Sequence, residues 1–250
     1  MRSITRILGA VTKPQHYVSL ANSHIYGDWR EFFVKRYVLG RGDYPYSCRI
    51  RTPTGPVALT LYQHEDCFTV QEIFGLECYR ADDARVVVDF GANIGVSAAY
   101  FLTRRADARV YCFEPLATNI ERFRRNLAAF DGRWTLTEAA VAADAGTISF
   151  HVEPTGRYSG VECQDGELRQ FPCVSAEAVL SDVIDRHGTI DLLKIDIEGA
   201  EALFMRALSP RVLANIRRIY IEGQQTFALQ GFQLSLTVSG VHCYSAASSR

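Results

Sequence analysis

The sequence has no CxxC pair, although its 250 residues include seven cysteines: Cys48, Cys67, Cys78, Cys112, Cys163, Cys173 and Cys243. Their odd number and scattered placement argue against both a zinc site and a disulfide framework. A reduced, cytoplasmic setting is the expectation. A surplus of charge is missing as well. Its 27 basic and 28 acidic residues leave a formal net charge of -1, so no global field recruits nucleic acid. No apolar run approaches the roughly 20 residues of a membrane-spanning helix. The opening "MRSITRILGAVTKP" is basic and mildly apolar, too short for a secretory signal, and is expected to be a docking helix or a frayed end. Repeats, low-complexity tracts and long linkers are absent too. The six histidines nowhere fall at metal-ligand spacing.

What is present fits an ordinary globular chain, with 48% hydrophobic and 22% charged residues. The length suits one large α/β domain with a small N-terminal addition. Residues 16–40 read as mostly helical, "YSCRIRTPTGPVALTLY" as a hairpin, and "DCFTVQEIFGLECY" as a helix with capping-box spacing from Thr69 to Glu72. From Arg85 the texture changes. Strands "RVVVDF", "ARVYCFE", "TLTEAAV", "IDLLKIDIEG" and "IRRIYIEG" alternate with helices "VSAAYFLTRR", "LATNIERFRRNLAAF", "SAEAVLSDVIDRHG" and "AEALFMRAL". "GTISFHV" is a further extended piece, residues 153–170 read as a long surface loop, and "GFQLSLTVSGVHCYS" closes the chain as two short extended runs. Such alternation implies a parallel sheet with helices on both faces.

One turn in this pattern is chemically pointed. In "RVVVDFGANIGVSAAYF", Gly91 and Gly95 bracket Asn93, giving DxGxNxG rather than GxGxxG. The turn follows a strand and opens a helix, where backbone passes close to a ligand at the helix N-terminus. Asn93 tolerates left-handed backbone angles and brings an amide to the site. Asp89, two residues before the first glycine, repels a pyrophosphate but suits an ammonium group or another cationic centre. S-adenosylmethionine offers both an amino group and a sulfonium and carries no phosphate. Glu114 ends the next strand, where an acid can accept hydrogen bonds from two ribose hydroxyls. NAD shares that need, so Glu114 alone decides nothing.

Asp89, Glu114, Asp196 and Glu222 would all sit at carboxyl ends of strands, the edge at which open α/β sheets bind ligands. In "DLLKIDIEG", period two places Lys194, Asp196 and Glu198 on one face and Leu193, Ile195 and Ile197 on the other. A lysine in a buried strand needs a partner, and Asp196 or Glu222 is expected to supply it. A structural ion pair and a direct role on substrate both stay open for Lys194. For methyl transfer to an alcohol, Asp196 or Glu198 can serve as the base, with Lys194 influencing its acidity; Asp196 can equally bind the methionine part of the donor. A divalent metal bridged by Asp196, Glu198 and Glu222 is an option, but a disfavoured one, for lack of a spacing signature.

The stretches "VVVDFGANIGVSAAYF", "VYCFEPLATNIERFRRNL", "EAAVAADAGTISF" and "IDLLKIDIEGAE", with "RIYIEG" and a late "GF", resemble the FkbM-type family of class I S-adenosylmethionine-dependent methyltransferases. The resemblance implies a Rossmann-like, mostly parallel seven-stranded sheet over residues 81–250, preceded by a helical and hairpin cap over residues 1–80. It implies that Asp89, Gly91, Asn93 and Gly95 hold the methionine part, Glu114 the ribose, and the Glu138–Ala140 turn the adenine. Hydroxyls of sugars, glycans or polyketide-like secondary metabolites are the implied acceptors. Trp29, Phe32, Phe33 and Tyr79 are candidates to line such a site. About eight residues separate Glu222 from Gly231, so the usual last helix is short or missing. That leaves the substrate side open, or filled by the N-terminal helices or by a second copy in a homodimer. Two rival readings stand beside this one: a nicotinamide-dependent oxidoreductase, and a module that binds a nucleotide without catalysis.

Overall fold

The computed structural model describes residue 18 and residues 20–152, 166–197, 208–223, 225–226 and 228–247. The chain forms two compact units, Met1–Arg80 and Ala81–Arg250.

In the first unit, the helical pattern of residues 16–40 is split. A short 3-10 turn, Asn22–Ile25, is followed by backbone that joins the hairpin instead. Gly27 donates to Arg49 O at 2.8 Å and Arg51 to Ile25 O at 2.7 Å. Helix α1, Arg30–Val38, is wound as a π helix, and the Asp28 carboxylate accepts the Glu31 N–H at its start. Strands β1 (Tyr46–Ile50) and β2 (Val57–Leu61) form the expected antiparallel hairpin around the Thr52–Gly55 turn. Helix α2 runs over Glu65–Val70 and continues as wider turns through Gly75. It begins four residues before the expected cap. The Asp66 carboxylate takes the N–H groups of Tyr62 and Gln63, which leaves Thr69 in mid-helix. Phe32, Phe33 and Tyr79 are buried, as aromatic side chains usually are, while Trp29 is exposed.

The second unit is built on a seven-stranded sheet. Its parallel strands are β3 (Val86–Phe90), β4 (Arg109–Phe113), β5 (Trp134–Thr137), β9 (Leu192–Ile195) and β10 (Arg218–Glu222). Strands β11 (Phe232–Val238) and β12 (Val241–Ala246) form a hairpin that adds to β10 in antiparallel fashion, giving the order β11-β12-β10-β9-β3-β4-β5. The period of two sorts the side chains. Val88, Phe90, Leu193, Ile195, Ile219 and Ile221 form one core with α5 (Ala176–His187) and α6 (Pro210–Ala214). Asp89, Cys112 and Lys194 point the other way, the side on which Ser97 of α3 (Val96–Arg104) meets Asp89. Phe123 of α4 (Ala117–Leu127) packs edge-on against Trp134 of β5. All eight side chains from Val96 to Thr103 are buried, and Ala98 and Ala99 among them are small enough to let α3 lie close. Arg133 closes the C-terminal end of α3, donating to the carbonyls of Leu102 and Arg105 at 2.7 and 2.6 Å, and reaches Ala108 O, just before β4, at 3.3 Å.

Two expectations change. The run "TLTEAAV" is two strands, because the chain leaves the large sheet after Thr137 and enters a second one at β6 (Ala140–Ala142). In that sheet β6 and β7 (Gly146–Val152) flank β8 (Glu167–Ser175), so residues 167–170 are strand rather than loop. Strand β8 hides its nature: Glu167–Gln170 are exposed and Pro172 interrupts the apolar pattern. The proline is tolerated because β6 pairs only from Cys173 onward. The helix expected at residues 200–208 lies, apart from Leu208, outside the described residues, as does Glu198. Among the described residues no helix is long and apolar enough to cross a membrane.

Candidate functional site

The glycine turn sits where the sequence places it, between β3 and α3. Gly91, Asn93 and Gly95 all have left-handed backbone, with φ of 80°, 47° and 89°. Asn93 therefore fills the role expected of it, and its side-chain Oδ1 accepts the next residue's N–H at 2.7 Å. Both glycines are also required by packing. A Cβ on Gly91 would collide with the carbonyl oxygen of Asp196, and one on Gly95 would lie 2.8 Å from Leu127 Cδ2 and 3.0 Å from Phe123 Cδ2. The turn is thus pressed against the end of β9 on one side and against α4 on the other.

The four acids gather at the carboxyl ends of adjacent strands, but in different states. Asp89 is fully buried. Its Oδ2 accepts Ser97 Oγ–H at 2.6 Å, and its Oδ1 lies 3.0 Å from Lys194 Nζ, an ion pair without well-aligned hydrogen-bond geometry. Lys194 stands directly across from Asp89 in the parallel register. Strand position in the sequence points instead to Asp196 or Glu222 as its partner. Asp196 does lie 3.4 Å away, but the closer carboxylate is on the other neighbouring strand. Only the alignment of β3 with β9 brings that pair together. Burial lowers the proton affinity of Lys194, yet Asp89, Asp196 and Glu222 more than reverse this and hold it firmly protonated.

Glu114, just past β4, is buried too. Its Oε2 accepts the Asn93 N–H and its Oε1 the Leu116 N–H, both at 2.9 Å. Burial pushes this carboxyl up to about 7, against the pull of those two N–H groups and of Asn119. Oε1 also accepts the Asn119 amide at 3.4 Å, whereas Oε2 has the Asn93 N–H alone and keeps a second lone pair for a ligand hydroxyl. Asp196 follows β9, with its side chain 29% exposed. Glu222 ends β10 and is exposed. Glu138 is exposed and ion-paired with Arg124 at 2.5 Å, while Ala140 opens β6, so the Glu138–Ala140 turn links the two sheets.

Ser97 was not among the sequence candidates. Its signal is position: it is the second residue of the helix after the turn, placed to reach back to Asp89. Glu198 lies outside the described residues. Among the described residues no group of three or more His, Cys, Asp or Glu side chains is arranged to hold a metal ion.

This set of groups suits a donor with an amino acid part and a ribose. Buried Asp89 and Lys194 cancel each other, Asp196 leaves a negative charge at the rim, and Glu114 Oε2 can accept a hydroxyl.

Comparison with known proteins gives the family. The family model described as "Methyltransferase FkbM domain" matches residues 89–237. The chain is 31% identical over 213 residues to the AMB antimetabolite synthetase AmbE of Pseudomonas aeruginosa, a match covering 68% of this chain and 10% of that protein. It is 29% identical over 153 residues to the 2-O-methyltransferase NoeI of Sinorhizobium fredii, covering 55% of this chain and 62% of that one. It is 26% identical over 208 residues to the 31-O-demethyl-FK506 methyltransferase FkbM of Streptomyces tacrolimicus, covering 69% of this chain and 80% of that one. The chain thus spans less than two thirds of the length of AmbE and of NoeI. Because the family model takes in the glycine turn, all four strand-end acids and most of the seven-stranded sheet, the chain belongs to the FkbM methyltransferase family.

Proposed function

We propose that this chain transfers a methyl group from S-adenosylmethionine to a hydroxyl group of a sugar, glycan or polyketide-like metabolite. The observation that carries the reading is the row of strand-end carboxylates around a glycine turn: Asp196 open to an ammonium, Glu114 with a spare lone pair on Oε2 for a ribose hydroxyl. The hydroxyl acceptor is supported by the names of two relatives, a 2-O-methyltransferase and a 31-O-demethyl-FK506 methyltransferase.

When bound, the donor supplies an electrophilic methyl on a positively charged sulfur. An acceptor oxygen would take that methyl, the new C–O bond replacing the C–S bond to a departing neutral thioether, and the hydroxyl proton would pass to a base. The chain's own contribution is mainly placement. Asp89, Gly91, Asn93 and Gly95 shape the pocket for the methionine part, with Asp196 at its rim. Glu114 receives the ribose, and the Glu138–Ala140 turn flanks the adenine.

Thermal unfolding with added S-adenosylhomocysteine or NAD tests this. A ligand that binds only the folded chain adds about 2.7 kcal/mol of stability at a hundred times its Kd. The expected result is a raised midpoint with S-adenosylhomocysteine and none with NAD. The reverse would favour the oxidoreductase reading and overturn this one. Transfer of labelled methyl to a panel of glycosides and polyketide alcohols then identifies the acceptor.

A further inference from the structure

Building on the methyl-donor reading, we infer that Lys194 is a positioning residue that fixes the Asp196 carboxylate against the donor's ammonium group, while Asp89 acts only through Lys194. The first observation is that Asp89 has no open surface. It is completely buried, with Ser97 on one oxygen and Lys194 beside the other. A group so enclosed cannot touch a ligand unless the turn comes apart.

The second observation is how many elements converge on one atom. Lys194 Nζ lies 3.0 Å from Asp89 Oδ1 and 3.4 Å from Asp196 Oδ2, and donates to the carbonyls of Gly91 at 2.9 Å and Phe90 at 3.4 Å. Asp196 is held to the same turn through its main chain, where its N–H donates to Phe90 O at 3.2 Å. The ammonium therefore ties the end of β3, the glycine turn and the end of β9 into one unit. Asp196 is the carboxylate of the pair that retains an open side. With Asp89 and Lys194 neutralising each other, the surplus negative charge of the trio faces outward at Asp196.

The third observation is the choice of cation. The chain uses 24 arginines and only three lysines, Lys13, Lys35 and Lys194. Four acceptor oxygens within 3.4 Å of a single atom suit a compact ammonium, not a planar guanidinium, which presents its donors in a fork.

The test separates positioning from general loosening by using two ligands. S-adenosylhomocysteine carries the amino acid part. 5′-Methylthioadenosine keeps the adenosine and the thioether but lacks the amino acid part. Calorimetry on the full chain compares wild type, Lys194→Met, Lys194→Arg and the double variant Asp89→Asn with Lys194→Met. The double variant removes both buried charges together, so it is the fold-safe case if Lys194→Met alone leaves an uncompensated carboxylate and fails to fold. The expected result is that the Lys194→Arg and double variants lose about tenfold or more in affinity for S-adenosylhomocysteine, as befits one charge-assisted contact. Affinity for 5′-methylthioadenosine stays within about twofold of wild type, since that ligand has no ammonium for Asp196 to hold. Equal weakening of both ligands, or an unchanged preference for S-adenosylhomocysteine, would overturn the inference while leaving the methyl-donor reading intact. A wild type that binds neither ligand would overturn that reading, and this inference with it.

Discussion

Three glycines with similar backbone angles allow the close approach at the turn to be measured. Gly132, Gly95 and Gly91 have φ of 77°, 89° and 80°, so an alanine at each pays about the same left-handed penalty, about 1–2 kcal/mol. The entropy lost by the unfolded chain is also common to the three substitutions and cancels from their differences. What differs is the space. Around Gly132 no atom lies within 4 Å of an added methyl. At Gly95 the methyl meets the ends of Leu127 and Phe123, which can shift by a few tenths of an ångström. At Gly91 it meets the Asp196 carbonyl, part of a backbone pinned by its own N–H to Phe90 O and by the pairing of β9 with β3. Overpacking against an unyielding neighbour adds about 1–3 kcal/mol or more. Gly91→Ala should therefore cost about 2–4 kcal/mol more than Gly132→Ala, with Gly95→Ala between them. At about 2–4 °C per kcal/mol for a unit of this size, the outer two melting midpoints should differ by about 4–16 °C without ligand. Urea unfolding of the three variants measures the same order at fixed temperature. If Gly91→Ala proves no more costly than Gly132→Ala, the tight seat of the turn on Asp196 does not exist, and the placement of Asp196 by that turn fails with it.

Two further outcomes follow from the site and its support. Glu114 titrates at 4.5 in the reference state and at about 7 when buried, so between those values the folded chain keeps a proton that the unfolded chain has released. Stability from this group is then lost as pH rises through that window, by about 3 kcal/mol at most. Relative to Glu114→Gln, wild type should lose that margin in urea unfolding between pH 4.5 and 7.5, and parallel profiles would refute the raised value. Arg133→Met keeps the apolar stem but removes the guanidinium donor from the Leu102 and Arg105 carbonyls at the end of α3 and from Ala108 O before β4. It should cost about 1–3 kcal/mol, and an unchanged denaturation midpoint would show that water replaces the guanidinium without loss.

Much of this architecture was legible in the residues. The alternation of strands and helices after Arg85, the glycine turn and its left-handed Asn93, and the acids at strand ends all follow from local patterns. What escaped depends on partners distant in sequence. The N-terminal helix breaks at Tyr26 because its neighbour is the hairpin strand carrying Arg49, which no local signal announces. Strand β8 is exposed along Glu167–Gln170, so it lacks the apolar alternation that marks a strand, and Pro172 argues against one. The pairing of Lys194 with Asp89 spans 105 positions and needs the register of β3 on β9. Sequence spacing within β9 could only suggest Asp196, two residues away. Ser97 escaped because a serine at the start of a helix looks like any other until the strand beneath it is known.

The cross-strand pair of Asp89 and Lys194 also bears on how the sheet finds its alignment. Shifting β9 by one residue would swing the ammonium into the greasy layer of Val88, Phe90, Ile219 and Ile221 and leave Asp89 facing a leucine or an isoleucine. Two charges stranded in that way cost far more than slipped hydrophobic contacts could recover. Strands rich in interchangeable valine, leucine and isoleucine would otherwise tolerate several offsets, and this pair works as a key that lets only one of them close.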